Sequence, residues 1–193
     1  MAVSAAAARP RAGRPRDPAC DAAILQATIE AFVADGYAGV SIEGVAARAG
    51  VAKATVYRRY ADKAELLVEA VRCGAAMDDH LPDTGDLRAD LLAMMQPLAD
   101  RLRSAEGKLL TMFAIEGFRN PELAEEFNRS VIGKKREHVR RLVRSAMARG
   151  ELPADADVDL IAEAAPAFLW HHALYGLPIG ADLTERILDV VLP

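Results

Sequence analysis

The segment from residue 41 to residue 60 constrains the fold most, because it places two short amphipathic patterns around one glycine. It reads SIEGVAARAGVAKATVYRRY. Two helices that cross at a fixed angle need a small residue inside the first helix, a glycine in the turn and apolar residues that lock the pair. Ala46 and Gly50 meet the first two needs. The apolar residues at suitable spacing are Ile42, Val45, Val51 and Val56. We therefore predict a helix-turn-helix, with Ser41 as the N-cap of its first helix.

Helical periodicity continues on both sides of this motif. Before it, an apolar stripe predicts a helix over 17–35 that Gly36 ends. The sequence shows no convincing strand pattern and no internal repeat. It predicts an all-α protein of about nine helices, with a three-helix N-terminal domain followed by a larger helical C-terminal domain. The later helices are predicted over about 63–80, 87–103, 105–118, 121–149, 157–175 and 182–192.

Charge is divided unevenly along the chain. The net charge is −4, but residues 1–67 hold nine basic and seven acidic side chains, whereas the rest holds fifteen basic and twenty-one acidic ones. Only the N-terminal part is therefore charged to approach phosphate. We divide the chain into a basic flexible arm (1–16), a helix-turn-helix domain (17–62) and a second helical domain (63–193).

The arm carries Arg14 and Arg16 on either side of Pro15, in a stretch with no acidic residue. Arginine is drawn to narrow A·T-rich minor grooves, which favours a DNA contact for this stretch. A solubilising tail is the alternative, and the residues alone do not decide between the two.

Cysteine usage and hydropathy indicate the compartment. Cys20 and Cys73 are far apart and lack metal-ligand spacing, which suits a reducing cytosol. The chain shows no signal peptide and no apolar stretch long enough to span a bilayer. We expect a cytoplasmic protein without a membrane partner, a cofactor or a bound metal. His171 and His172 do not change this expectation, because adjacent residues on a helix point about 100° apart and cannot readily chelate one ion.

Helix-turn-helix geometry turns the start of the second helix toward the major groove of DNA. Lys53, Ala54 and Thr55 occupy that position. Phenol, guanidinium and ammonium donors suited to phosphate oxygens follow, on Tyr57, Arg58, Arg59 and Lys63. Tyr57 could instead pack in the core, and the two arginines could form a solvated face. Glu43 on the first helix could accept from cytosine, or it could be solvated or paired with a neighbouring arginine.

As an ordered set, the residues of this region resemble one family. The set covers about residues 18–70 without gaps: Ile24-Leu25, Phe32, Gly36-Tyr37, Val40-Ser41-Ile42, Val45-Ala46, Ala49-Gly50-Val51, Lys53, Thr55-Val56-Tyr57, Tyr60, Lys63 and Leu66-Leu67. It is similar to the DNA-binding domain of the tetracycline-repressor (TetR) family. Two later stretches are similar to family C-terminal domains, namely Asn120-Pro121-Glu122-Leu123 and Arg149-Gly150-Glu151-Leu152-Pro153. The resemblance implies an all-helical homodimer that reads a palindromic operator and responds to a small molecule in its C-terminal domain.

The resemblance also implies residue roles. Lys53, Ala54, Thr55 and Arg58 match positions that meet bases or nearby phosphates, and Tyr57 and Lys63 match phosphate-contacting positions. The sequence departs from the family at Ala52, where a serine is frequent, and at Ala54, where a glycine is frequent. The assigned DNA interface is Arg14, Arg16, Ser41, Lys53, Ala54, Thr55, Tyr57, Arg58, Arg59 and Lys63.

Soft methionines, aromatics and a few polar groups in the C-terminal half are candidates for the lining of an effector cavity. This mixture suits a small, largely apolar effector that one or two hydrogen bonds fix in place. The alternative is that these residues only pack the core. Glu116, if it faces inward, favours a cationic or hydroxyl-bearing ligand. The candidate ligand-binding residues are Met94, Met112, Phe113, Glu116, Trp170, His171 and Tyr175.

The last two predicted helices are candidates for the dimer interface. The first of them is apolar nearly all round, so it must bury two faces, and one of these needs a partner. Four such helices would form a bundle about a two-fold axis. The assigned interface residues are Ile161, Phe168, Leu169, Leu183, Ile187 and Leu188.

The sequence therefore predicts a ligand-responsive transcriptional repressor of the TetR type, and not an enzyme. An all-α enzyme is one alternative, but no nucleophile–base pair or metal constellation stands out. A helical interaction module without DNA binding is another, and the presence of Lys53, Tyr57 and Lys63 argues against it.

Overall fold

The computed structural model describes residues 18–77 and 80–192, and its regular structure there is entirely helical. A π-helical turn, Asn128–Ile132, joins α7 to α8 without leaving helical backbone angles, so α7, the π-turn and α8 form one long helix. On that count the described residues hold nine helices, which confirms the all-α prediction. The bounds are α1 Pro18–Gly39, α2 Ile42–Arg48, α3 Lys53–Tyr57, α4 Lys63–Gly74, α5 Leu87–Arg103, α6 Ala105–Arg119, α7 Pro121–Phe127, α8 Gly133–Ala148, α9 Val158–Tyr175 and α10 Leu183–Val191.

Local capping explains where several helices begin. The Ser41 hydroxyl accepts from the Gly44 N–H at 3.1 Å at the start of α2. At the start of α4, the Asp62 carboxylate accepts from the Glu65 N–H at 2.9 Å, and the Glu65 carboxylate accepts from the Ala61 N–H at 2.6 Å. Such side chains satisfy backbone donors that have no partner inside the helix.

α4 ends at Gly74, earlier than the predicted 80, although no glycine follows to stop it. Ala76 takes the left-handed conformation instead, with a φ of 46°. The N–H groups of Ala76 and Met77 donate back to Cys73 and Arg72 at 3.1 and 2.8 Å, which is the Schellman pattern of helix termination. An alanine in this conformation is strained, because its Cβ crowds the backbone.

The hydrophobic cores divide the molecule differently from the predicted domain boundary at residue 62. One core joins α1–α4 to α6, α7 and the π-turn. The other joins α5 to α8, α9 and α10. Three rings, Phe32 of α1, Phe113 of α6 and Phe127 of α7, link the N-terminal helices to the C-terminal half.

No described helix combines the length and the apolar composition that crossing a bilayer requires.

The shared core predicts that α7 contributes to the stability of the N-terminal unit. Leu123 of α7 is fully buried in that core, so Leu123→Ala should lower the free energy of unfolding by about 2–5 kcal/mol. Ile115 of α6 is 46% exposed, and Ile115→Ala should cost less than about 1 kcal/mol. Urea unfolding followed by circular dichroism measures both. Equal losses in the two variants would contradict this assignment of the core.

Candidate nucleic-acid interface and ligand cavity

The helix-turn-helix is formed by α2 and α3 around Gly50. This glycine has a φ of 66°, which non-glycine residues rarely adopt, and it lets the Val51 N–H turn back to the Ala46 carbonyl at 3.0 Å. Val45 and Val56 are almost fully buried between the two helices and α1. These contacts fix the angle between α2 and α3.

Four of the assigned residues form one exposed strip along α3. Lys53, Ala54 and Arg58 are exposed, and the Tyr57 ring is 49% exposed rather than packed in the core. The ammonium of Lys53 lies 5.4 Å from the centre of the Tyr57 ring. Nothing on the described part of the protein covers this strip, so it is accessible to a DNA groove.

Lys53 is already engaged by an acidic neighbour. Its ammonium forms an ion pair with the Glu43 carboxylate of α2, so the partner of Glu43 is a lysine and not an arginine. The hydrogen bond between them raises the pKa of Lys53 and lowers the pKa of Glu43. Both groups are therefore charged near neutral pH.

Arg59 is turned away from its neighbour Arg58. Its guanidinium forms an ion pair with Asp21 of α1 and donates to the Thr55 carbonyl at 3.3 Å, and only 13% of its side chain is exposed. This placement corrects the expectation that Arg59 contacts phosphate, because its charge is used inside the domain. Thr55 is half-buried beside it, and Ser41 is committed to capping α2.

Lys63 is half-buried at the first turn of α4. Its ammonium donates to the Tyr37 carbonyl at 3.3 Å and lies 3.9 Å from the centre of the Tyr37 ring. Burial, together with the nearby carboxylates of Glu122 and Asp62, raises the pKa of Tyr37 to about 12. Through its two contacts with Tyr37, Lys63 holds the start of α4 against the end of α1. Arg14 and Arg16 of the arm lie outside the described residues.

An apolar cavity of about 370 Å³ opens between α5, the π-turn, α8 and α9. Met94 and Trp170, both assigned from the sequence, line it. The same cavity contacts the end of α4 through Met77 and the shared core through Phe127. Its size falls within the range of small-molecule sites in proteins.

The other ligand candidates lie elsewhere, and the structure corrects their assignment. Phe113 is buried between the rings of Phe32 and Phe127. Glu116 accepts from the Asn120 side-chain amide at 3.0 Å and does not face the cavity. Met112, His171 and Tyr175 are exposed, with Tyr175 at 74%. The lining that sequence reasoning missed includes Leu91, Leu98, Arg101, Lys135, Arg136 and Val139.

The assigned dimer residues divide into one exposed side chain and five buried ones. Phe168 is 47% exposed on α9, whereas the others have almost no surface left for a partner. This corrects their assignment, because they pack in their own subunit's core: Ile161, Leu169, Leu183, Ile187 and Leu188. The exposed apolar side chains of α9 and α10 are instead Leu160, Phe168, Leu174, Tyr175 and Val190.

A larger hollow, of about 470 Å³, lies between α1, α4 and the π-turn, but its rim is acidic. Each carboxylate on it is engaged within the protein: Asp21 by Arg59, Glu65 by the Ala61 N–H, Glu69 by Arg72 and Glu126 by Arg129. Among the described residues, no group of three His, Cys, Asp or Glu side chains is placed to hold a metal ion.

Two family models match the chain, and they divide it near the end of α4. Residues 24–70 match the model described as bacterial regulatory proteins of the tetR family. Residues 81–191 match the model of the tetracyclin repressor-like C-terminal domain. Together they cover the helix-turn-helix and the helices around the cavity.

Similar proteins agree with these matches. The DNA-binding transcriptional repressor TetR of Mycobacteroides abscessus is 31% identical over 89% of this chain and 90% of its own length. The uncharacterized HTH-type transcriptional regulator YdeS of Bacillus subtilis is 30% identical over 77% and 75% of the two chains. The crystal structure of the TetR family transcription regulator SCO0332 has a TM-score of 0.62 at 26% identity and covers 89% of this chain and 96% of that one. These relatives are regulators and not enzymes, and the chain belongs to the TetR family of DNA-binding transcriptional regulators.

Proposed function

We propose that this chain is a cytoplasmic repressor that binds a palindromic operator as a homodimer and is released by a small-molecule effector. The observation that carries the proposal is the position of α4. Its first residue, Lys63, contacts the end of α1 in the DNA-binding unit, and Met77 beyond its last turn lines the apolar cavity. A ligand changes DNA affinity only if it binds two arrangements of the protein unequally, and one helix that contacts both sites can carry that difference.

The exposed strip of α3 supports the DNA-binding half of the proposal. Lys53 and Ala54 would meet base edges, while Tyr57 and Arg58 would donate to phosphate oxygens. Lys53 would exchange its Glu43 partner for the DNA. The contact proposed for Arg14 and Arg16 of the arm remains a prediction about the minor groove.

The exposed apolar face of α9 and α10 supports the homodimer. Leu160, Phe168 and Tyr175 recur along one side of α9, and Val190 of α10 is 78% exposed. Large apolar side chains grouped on one surface are typical of a protein–protein interface. Two copies meeting through this face about a two-fold axis would present two α3 helices to the two half-sites of a palindrome.

The function is tested with the DNA upstream of the chain's own gene. We expect fluorescence anisotropy to detect binding of the protein to this DNA at physiological salt. A random duplex of equal length should not displace the bound DNA. Footprinting should then show two half-sites about one helical turn, or 34–36 Å, apart. Equal affinity for the upstream and random duplexes, over several candidate promoters, would refute sequence-specific regulation.

Arg58 and Arg59 provide a matched pair of tests for the interface. Arg58→Ala should weaken binding to every duplex and reduce the slope of log affinity against log salt by about one, because one phosphate contact is lost. Arg59→Ala should leave that slope unchanged and lower the free energy of unfolding by about 1 kcal/mol, because Asp21 loses its partner. Salt titrations and thermal unfolding measure the two effects. The reverse pattern would show that Arg59 is the phosphate contact.

The dimer surface is tested by placing a charge on it. Phe168→Glu and Val190→Glu should produce monomers at about 10 µM in analytical ultracentrifugation, because an unpaired carboxylate is costly to bury in an apolar interface. Val33→Glu is the control, since Val33 is 53% exposed on α1, away from these helices. Dimers of unchanged stability in both α9 and α10 variants would refute this interface.

A further inference from the structure

The cavity is apolar along most of its wall, and most of its charged residues are basic. Among the described residues it is lined by three basic side chains, Arg101, Lys135 and Arg136, and by one acidic side chain, Glu163. Arg136 faces Glu163 at 3.3 Å between Nε and Oε1, so this pair compensates itself. By residue count, the described lining therefore holds more basic than acidic side chains.

Arg101 is the basic residue whose donors are least satisfied. Its Nε atom is buried, and no acceptor for it exists among the described residues. A buried donor without an acceptor costs free energy, and buried polar groups in proteins are nearly always paired. A ligand in the cavity is one source of the acceptor that the described residues do not provide.

Arg101 also connects the cavity to α4. Its Nη1 donates to the carbonyl of Ala76 at 3.2 Å. Ala76 is the left-handed residue that ends α4, and Met77 next to it lies in the cavity wall. A ligand that attracts the guanidinium therefore competes with the carbonyl that Arg101 holds at the end of α4.

We propose that the effector is an amphiphilic anion, with a carboxylate head group that Arg101 binds and an apolar tail that packs against Met94, Leu98 and Trp170. A guanidinium offers several donors in a plane that matches a carboxylate. Methionine and tryptophan side chains adapt to an alkyl chain of variable shape. This inference rests on the proposed function, because it takes the cavity to be the effector site.

Trp170 is the single tryptophan of the sequence and lines the cavity, so its fluorescence reports ligand entry directly. The probes are decanoate, decanol and decyltrimethylammonium below their micellar concentrations, which share a tail and differ in charge. Decanoate should bind the full-length protein about tenfold more tightly than decanol, since a charge-assisted hydrogen bond contributes about that much. The cationic probe should bind more weakly than decanol.

Arg101→Gln should remove the preference for decanoate over decanol, because decanoate then loses its charged partner. Arg101→Lys should keep part of the preference, because it keeps the charge without the planar fork. Arg103→Gln is the control, since Arg103 is exposed and pairs with Asp100 on the surface. Thermal unfolding checks that each variant is folded. If Arg101→Gln does not fold, Arg101→Lys still tests whether the preference for decanoate depends on residue 101.

The outcomes separate the ligand class from the cavity. If decanol or the cation binds as tightly as decanoate, the anion class is overturned while the cavity remains the effector site. If no probe changes the Trp170 fluorescence, the cavity and the anion class fail together. If the preference for decanoate survives Arg101→Gln, the head group lies elsewhere and the assignment to Arg101 is wrong.

The contact with α4 gives a second readout. Decanoate should speed amide hydrogen exchange of the wild-type protein at Ala76 and Met77, because the guanidinium that holds the end of α4 is drawn to the ligand. Decanol should produce less of this effect. Unchanged exchange at these amides with decanoate bound would refute the competition between ligand and carbonyl.

Discussion

The structure depends on a chain of three phenylalanine rings that runs from the DNA-binding unit to the cavity. Phe32 of α1 meets Phe113 of α6 at 6.4 Å between ring centres, and Phe113 meets Phe127 of α7 at 4.9 Å, both edge to face. Phe32 and Phe113 are buried, and Phe127 reaches the cavity wall. Because protein cores are close-packed, a displacement of one ring requires its neighbours to move. Part of the cavity wall therefore packs against the core that holds the helix-turn-helix, so the two sites are not joined only by a flexible linker.

The packing of α4 limits how that core can respond. Leu66, Leu67 and Val71 are fully buried, and a Cβ added at Gly74 would lie only 2.5 Å from the Ile29 side chain of α1. Such a close approach leaves α4 little freedom to slide on α1. A force applied at the end of α4 should turn α1–α4 as one body, which changes the separation of the two α3 helices in a dimer. Rigid-body rotation of this kind is a common form of allosteric transition.

The sequence predicts those features that local interactions determine. The caps at Ser41 and Asp62 depend on side chains within four residues, so the helix starts and the motif could be located in advance. Gly36 likewise breaks the helical backbone inside α1, with a φ of 67°, where the sequence predicts the helix to end. The end of α4 could not, because Ala76 adopts a backbone conformation that a glycine would normally signal. The π-turn could not be predicted from the sequence either, because its residues continue the helical pattern of α7 and α8.

The functional residues were harder to predict, because periodicity identifies an apolar face but not what covers it. Leu169 and Phe168 are adjacent on an apolar helix, yet one is fully buried and the other is 47% exposed. Arg58 and Arg59 are adjacent cations, and only the α1 carboxylate of Asp21 distinguishes them. Nothing in the local sequence indicates that Arg101 donates to the Ala76 carbonyl at the end of α4. Each of these distinctions is set by contacts between elements distant in sequence.

The arrangement of charges on the motif has a consequence for specificity. Lys53 is paired with Glu43, Arg59 with Asp21 and Arg48 with Glu30, while Lys63 is engaged by Tyr37. Non-specific binding to DNA derives almost entirely from cations that neutralise phosphates, so the pairing of these four side chains leaves Arg58 as the exposed cation of α3 that can contribute most to it. Under the proposed function, Lys53 would exchange Glu43 for a base contact on the operator, and Glu43 would accept from cytosine. The cost of breaking the pair would then be recovered only where the bases fit, so this ion pair would contribute to discrimination between sequences.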